Sequence, residues 1–393
     1  MEHVLVIGIG LALLFNFVNG LNDAANSIAT VVATRVLSPL QAVGMAAFFN
    51  MVGPFVFTTV VAKTIGKGIV DPAFLIPEVI VIGMAAAVLW VFLSSYAGIP
   101  ISASHALVGG LIGSAIAWGG IGSVLWPSSG LFVGTVLLFV TGAVLGALVL
   151  TLIARKKQEE RWTEIAGLGA LCGASLLVPP AVISGLLPLK GILAIVVFIV
   201  VSPVLGLIAA YFLGMAVILL FRNAQARKMN AVFSRLQVFS AAFYSLGHGS
   251  NDAQNAMGVI TALLFAAGML NDFVVPPWVI IASGLAIALG TFLGGWRVVE
   301  TMGRKITKLR PYQGFCAETG GGVVLSFVTA FGIPVSTTHA ISGSIMGIGA
   351  TRGYSAVQWG IVRKIVTAWI LTIPLTAACA YLGFLAFRFL FSV

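Results

Sequence analysis

Apolar residues in this chain run in blocks longer than any globular core requires, separated by glycine, proline and short clusters of charge. Twelve blocks can be marked off, near residues 4–34, 40–62, 78–97, 101–118, 130–154, 165–187, 191–221, 236–270, 278–296, 312–331, 335–351 and 360–390. A bilayer span needs about 20 apolar residues, so the pattern predicts an all-α polytopic membrane protein of about twelve transmembrane helices. Two charged stretches interrupt it, one over 155–161 and a basic loop over 222–235. They divide the chain into a first repeat (1–154), a charged loop with two connecting helices (155–235) and a second repeat (236–393).

Polar residues inside the blocks recur as matched pairs. Gly20-Leu21-Asn22-Asp23-Ala24-Ala25-Asn26 returns as Gly249-Ser250-Asn251-Asp252-Ala253-Gln254-Asn255. Gly98-Ile99-Pro100-Ile101-Ser102-Ala103-Ser104-His105 returns as Gly332-Ile333-Pro334-Val335-Ser336-Thr337-Thr338-His339. The order is the same in both halves, which makes the chain an internal duplication. Seven blocks lie between the start of one half and the start of the other. Seven is odd, so the halves enter the membrane from opposite sides and form inverted-topology repeats, with the motif-bearing segments read as broken or re-entrant helices.

Composition sharpens this picture. The chain is 60% hydrophobic and 8% charged, where soluble domains carry about a quarter charged residues. The net charge of +10 would suit nucleic acid, but the basic residues sit in short loops, as positive-inside topology requires; no nucleic-acid partner is expected. With the N-terminus outside, seventeen Lys and Arg fall on the inner side and four, Lys63, Lys67, Lys190 and Arg388, on the outer. Both termini are therefore expected outside, in a plasma (inner) membrane. Cys172, Cys316 and Cys379 show no metal-ligand spacing and imply neither disulfide nor zinc. The first block has only Glu2 and His3 before it, with no basic region, so no cleaved signal is expected.

An ionised carboxylate at the bilayer centre costs at least about 2.5 kcal/mol on insertion scales and marks function by default. Asp23, Asp252 and Glu318 are the acids that fall well inside apolar blocks. Asn22 and Asn26, like Asn251 and Asn255, are one helical turn apart and would share a face; alternatively Gly20 and Gly249 let the helix unwind and free its carbonyls. Either way Asn22, Asp23, Asn26, Asn251, Asp252 and Asn255 supply hard oxygen ligands for a small cation such as Na⁺, or a proton relay, and Glu318 either joins them in ion coupling or braces the bundle. The competing reading is that Asn and Asp serve as interhelical glue.

Helices starting after Pro100 and Pro334 would present N–H groups and the hydroxyls of Ser102, Ser104, Ser336, Thr337 and Thr338 at their positive ends, a natural anion site. His105 and His339 would hydrogen-bond the substrate or position the hairpins. The alternative for these serines and glycines is close helix packing, the role also read for Gly142, Gly146, Gly169, Gly173, Gly290 and Gly294. His248 has Asn19 at the matching position and receives no role. No Lys or Arg lies at the centre of a motif-bearing block, so an anion bound there would be balanced by cations or protons at the acidic motif. That is a physical case for symport. A channel would need a continuous lined pore, and Ser104-His105 and Thr338-His339 are neighbours that diverge on a helix with no third orienting group, so no enzyme is expected.

At these two duplicated signatures, with the stretch from Gly314 to Glu318, the chain resembles the inorganic phosphate transporter (PiT) family over essentially its whole length. The resemblance implies a twelve-span inverted-repeat carrier, a homodimer in membrane lipid, that moves inorganic phosphate with Na⁺ or H⁺ and uses no organic cofactor. By position it implies that Asp23, Asn26, Asp252 and Asn255 with nearby hydroxyls hold cations and substrate. A sulfate or other oxyanion permease on the same scaffold fits the same donors, although a protonated phosphate can donate to Asp23 or Asp252 and sulfate cannot. Ser102-Ala103-Ser104 against Ser336-Thr337-Thr338 says the two halves need not contribute equally.

Overall fold

In a bilayer, backbone amides find partners only within their own helix or in neighbouring protein, and the chain is 84% helical, with no strand among the described residues. The computed structural model describes residues 2–56, 59–156, 162–189, 191–333 and 335–391. Most of the charged loop and Pro334 therefore lie outside the described residues. The first half comprises α1 (Glu2–Ala33), α2 (Pro39–Val56), the short α3 (Val60–Lys67), α4 (Pro77–Ala97), α5 (Ala103–Gly119) and α6 (Ser129–Lys156). Two connectors follow, α7 (Trp162–Ile183) and α8 (Gly191–Leu220). The second half repeats the first with α9 (Ala226–Ala266), α10 (Pro277–Leu293), the short α11 (Trp296–Glu300), α12 (Pro311–Ala330), α13 (Thr337–Ala350) and α14 (Trp359–Phe391).

Each of the twelve apolar blocks carries one main helix, but among the described residues seven helices are long and apolar enough to cross a membrane, or eight counting the bent pair of α10 with the segment 296–305. Length and polarity explain the difference. At about 1.5 Å per residue, the 14 residues of α13 reach about 21 Å, short of the ~30 Å hydrocarbon core. The blocks 40–62 and 278–296 are each broken: α10 ends at Gly294 (φ +69°), and the chain turns by 65° into α11. The stretch read as a loop up to Arg235 is helical from Ala226. It contains no glycine or proline, and its Ala, Arg, Lys and Met favour a helix that continues into the membrane.

Two hairpins give the fold its symmetry. Asp71 N–H donates to the Ser123 carbonyl at 2.9 Å and Leu125 N–H to that of Ile69 at 3.0 Å, so the start of α4 and the end of α5 lie side by side. Gln358 N–H donates to the Ile306 carbonyl at 2.9 Å and the Thr307 hydroxyl to that of Ala356 at 2.7 Å, which closes α12–α13 in the same way. Each hairpin returns to the end of the bundle from which it starts, and inversion makes those ends opposite. Gly98 (φ +70°) and Gly332 (φ +68°) turn the chain at the two tips, a backbone conformation that glycine adopts without strain.

The halves interlock. α1 packs on α10 and α9 on α2. A methyl group at Gly20 would strike the Ile287 carbonyl and one at Gly249 the backbone of Asn50, so these glycines buy close backbone approach rather than unwinding; α1 and α9 stay helical through both motifs. The short helices hold the opposite half's tip. The Thr64 hydroxyl on α3 donates to the Gly332 carbonyl at 2.9 Å, and the Thr301 hydroxyl, just past α11, donates to that of Gly98 at 2.9 Å. Gly142 and Gly146 of α6 pack directly on Gly173 and Gly169 of α7, the small-residue contact expected of helices in lipid.

Re-entrance is testable by labelling. In a background without native cysteines, Ala73→Cys and Gly122→Cys should react with a membrane-impermeant maleimide from one side, and Lys308→Cys and Ser355→Cys only from the other. Ala73 and Gly122 labelling from different sides would mean that α4 and α5 do not form a re-entrant hairpin.

Candidate functional site

Four elements converge on one buried centre: the middle of α1, the middle of α9 and both hairpin tips. Each motif asparagine has a fixed duty. The first of each pair holds its own half's hairpin: Asn22 Nδ2 points to the Ile101 carbonyl at 3.4 Å and Asn251 Nδ2 to that of Val335 at 2.9 Å. Their oxygens accept from Ser95 (2.9 Å) and Thr329 (3.3 Å) near the ends of α4 and α12. The second of each pair holds the other half's hairpin: Asn26 Nδ2 donates to Thr338 Oγ1 at 3.0 Å and Asn255 Nδ2 to Ser104 Oγ at 2.8 Å. One helical turn of spacing thus lets a single helix grip both tips.

The carboxylates lie between these grips, with Asp23 and Asp252 each about 2% exposed. Asp23 Oδ1 accepts from Asn22 (2.6 Å) and Thr338 (3.2 Å), and Asp252 Oδ1 from Asn251 (3.0 Å). Thr337 Oγ1 reaches Oδ2 of both acids, at 3.4 and 3.3 Å. Tyr244 fixes Thr337 in turn, its hydroxyl donating to the Thr337 carbonyl at 2.8 Å.

His248 completes the cluster. Its Nε2 lies 3.2 Å from Asp252 Oδ2 and 3.9 Å from Asp23 Oδ2, and the three side chains offer ligand atoms all within 4.8 Å of one another. Its Nδ1 faces Asn50 Oδ1 at 3.0 Å, and Asn50 donates to Thr291 Oγ1 at 2.8 Å. Sequence reasoning missed His248 by reading its mismatch with Asn19 as unimportant. The usable signal was its spacing, four residues before Asp252 on one helix, which puts the two side chains on one face. Asn19 itself crosses to Asp252, its Nδ2 3.4 Å from Oδ2.

The remaining sequence candidates lie at or beyond the edge of this centre. Ser102 and Ser336 are N-caps, accepting from the backbone N–H of His105 (3.3 Å) and His339 (3.2 Å), which uses part of the donor set expected at the helix starts. His105 and His339 meet edge to face at 5.0 Å, and His339 stacks on Trp369, whose indole donates to the Pro100 carbonyl at 3.0 Å. Glu318 sits in a separate buried pocket, accepting from Thr30, Ser240 and, at 3.1 Å, Gln237. No hydrogen bond joins it to either aspartate among the described residues.

The centre is rich in oxygen and poor in positive charge. α1, α4, α5, α12 and α13 contain no Lys or Arg. While the amide nitrogens of Asn26 and Asn255 are engaged, their buried Oδ1 atoms have no hydrogen-bond partner. Two orphaned acceptors, each three residues along its helix from a carboxylate, are oxygen donors of the type a hard cation takes, and hydroxyls on two hairpin tips can serve either a cation or an oxyanion.

A bundle of inverted repeats whose re-entrant tips meet at a buried polar centre is the architecture of an integral membrane transporter rather than an enzyme. The phosphate transporter family matches residues 19–167 and 220–380, and the chain belongs to that family. It is 43% identical over 384 residues to a probable low-affinity inorganic phosphate transporter of Rhizobium meliloti, covering 97% of this chain and 96% of that one. To the protein of the same description in Bacillus subtilis it is 34% identical over 385 residues, covering 97% and 96%. A solved structure described as the sodium-dependent phosphate transporter superposes with a TM-score of 0.70 at 27% identity, over 98% of this chain and 99% of that one.

The polar frame should carry measurable stability. Asn50→Leu strips His248 Nδ1 of its partner and should lower unfolding stability in detergent by about 1–2 kcal/mol. Ser27→Ala removes a buried hydroxyl that has no partner and should leave the unfolding midpoint unchanged. Equal midpoints for both variants would mean that the Asn50 contact contributes nothing.

Proposed function

We propose that the chain is a cation-coupled symporter of inorganic phosphate, with Na⁺ as the coupling ion, working by alternating access from the plasma membrane with both termini outside. The observation that carries this reading is the pair of orphaned amide oxygens on Asn26 and Asn255 beside the two aspartates. Asp23, Asp252 and these asparagines hold the cation; Asn22 and Asn251, bonded to hairpin backbone, set the carboxylates. Ser104, Thr337 and Thr338 face phosphate from the tips, with Ser102, Ser336, His105 and His339 holding those tips in place. Glu318, in its own pocket, is a further cation site. Phosphate cannot enter this acidic centre without added positive charge, so cation and anion binding reinforce each other, which is coupling in the thermodynamic sense. The sodium-dependent description of the solved relative supports Na⁺.

Transport then follows from the inverted tips. Release of the Thr64–Gly332 contact frees one tip and release of the Thr301–Gly98 contact frees the other, on opposite sides. A second reading, proton coupling, is favoured by one observation: His248 stands between the two acids.

Labelled phosphate uptake into liposomes separates these readings. An inward Na⁺ gradient should drive uptake that excess sulfate does not inhibit; uptake driven by H⁺ alone would replace Na⁺ by the proton. Asp23→Asn and Asp252→Asn should each abolish coupled uptake in protein that still folds, and normal cation-driven uptake in both would remove the acids from the site. Ser104→Ala and Thr338→Ala should raise the phosphate KM by roughly tenfold, as loss of one hydrogen bond to a charged ligand does; an unchanged KM in both would place the anion elsewhere.

A further inference from the structure

A cavity of about 600 Å³ lies not at the motifs but on the side from which α4–α5 enters. Its wall is α3, carrying Lys63 and Lys67, and its floor is the tip of the other hairpin, Phe331 to Ile333. No acidic residue lines it among the described residues. Four of the chain's basic residues fall on the outer side by the loop count, and two of those four face this one cavity. Topology disfavours lysine on that side, so a cluster of it there needs another reason.

The lysines are placed as charges, not as ion pairs. Lys63 is exposed, and no carboxylate lies within ion-pair distance of Lys63 or Lys67 among the described contacts. Lys67 Nζ is held over the rings of Phe265 and Phe273, at 4.0 and 4.9 Å from their centroids, a contact that orients an ammonium without neutralising it. The floor is thin. Val335, whose carbonyl Asn251 holds, and Thr337, which touches both aspartates, follow Ile333 within four residues.

We propose that this cavity is the outer vestibule through which the oxyanion reaches the central site, and that Lys63 and Lys67 recruit it there. The inference rests on the transport reading above and adds to it a second, peripheral anion site. A basic vestibule compensates for what the centre lacks: the acidic motif repels a free anion, and a concave surface of one sign concentrates that anion at the gate. Because Lys63 and Lys67 lie outside the barrier, they change capture and not turnover.

The test measures phosphate KM and Vmax in proteoliposomes under a fixed coupling gradient, in neutral phosphatidylcholine and again with added phosphatidylglycerol. Lys63→Gln with Lys67→Gln should raise KM by roughly five- to tenfold with Vmax within twofold. KM of the unaltered protein should rise as inert salt is added, and that of the double variant should rise much less. Lys63→Arg with Lys67→Arg keeps the charge and the ring contact and should keep the original KM. An unchanged KM and salt response in the Gln variant would overturn the proposal. So would a KM increase that the Arg variant shares, and so would an effect seen only with phosphatidylglycerol, which would make the cavity a lipid-headgroup site. Absence of any phosphate uptake by the unaltered protein would instead overturn the transport reading.

Discussion

Two carboxylates share one buried space in this molecule, and burying like charges together is among the most expensive things a fold can do. Asp23 and Asp252 come from opposite halves of the chain, and every donor that reaches them is drawn from the helices and tips that must be held together for the protein to exist at all. Asn22, Thr338 and Thr337 serve Asp23; Asn251, Asn19, Thr337 and His248 serve Asp252. Removing either acid would leave some of these donors unpaired in a medium without water. The acids therefore organise the polar interior, and the interior in turn fixes where the two re-entrant tips stop.

Duplication explains how such a frame arises from few rules. The contacts of Asn22, Asn26 and Ser95 recur as those of Asn251, Asn255 and Thr329, and Thr64 on Gly332 recurs as Thr301 on Gly98. Symmetry stops at the acids. Thr337, which bridges both carboxylates, matches Ala103 in the first half, and His248 matches Asn19. Both exceptions lie against the same pair of oxygens. The frame is thus two-fold while its centre is single and handed, so it can hold one ligand set in one orientation.

How much of this was legible in the sequence follows from what each level depends on. Helix number and the inverted repeat rest on apolar length and parity, which are local and survive any packing. The hairpins were only half legible: glycine and proline mark a turn at residues 98–100, but the pairing of Val70 with Val124 that brings the two ends of the hairpin together is a contact between distant loops. The motif acids were legible because a carboxylate in lipid has few other uses. His248, Asn50 and Tyr244 were not, because their meaning lies in which helix faces them. The helix break proposed at Gly20 and Gly249 failed for a related reason, since glycine permits both unwinding and close approach, and only the carbonyls of Ile287 and Asn50 across the interface decide.

The absence of arginine and lysine from α1 and the hairpins bears on how a carrier can work. A bidentate arginine would bind a tetrahedral oxyanion strongly and by itself, leaving little reason for a cation to bind with it and little means of release. A centre made of carboxylates, amide oxygens, hydroxyls and one imidazole offers no arginine or lysine to hold an anion by itself. The permanent positive charges lie elsewhere, on α3 and in the basic loops. Each tip is then held by weak neutral contacts, a hydroxyl on a carbonyl worth about 0.6 kcal/mol in membrane proteins. Neither contact alone fixes a tip strongly.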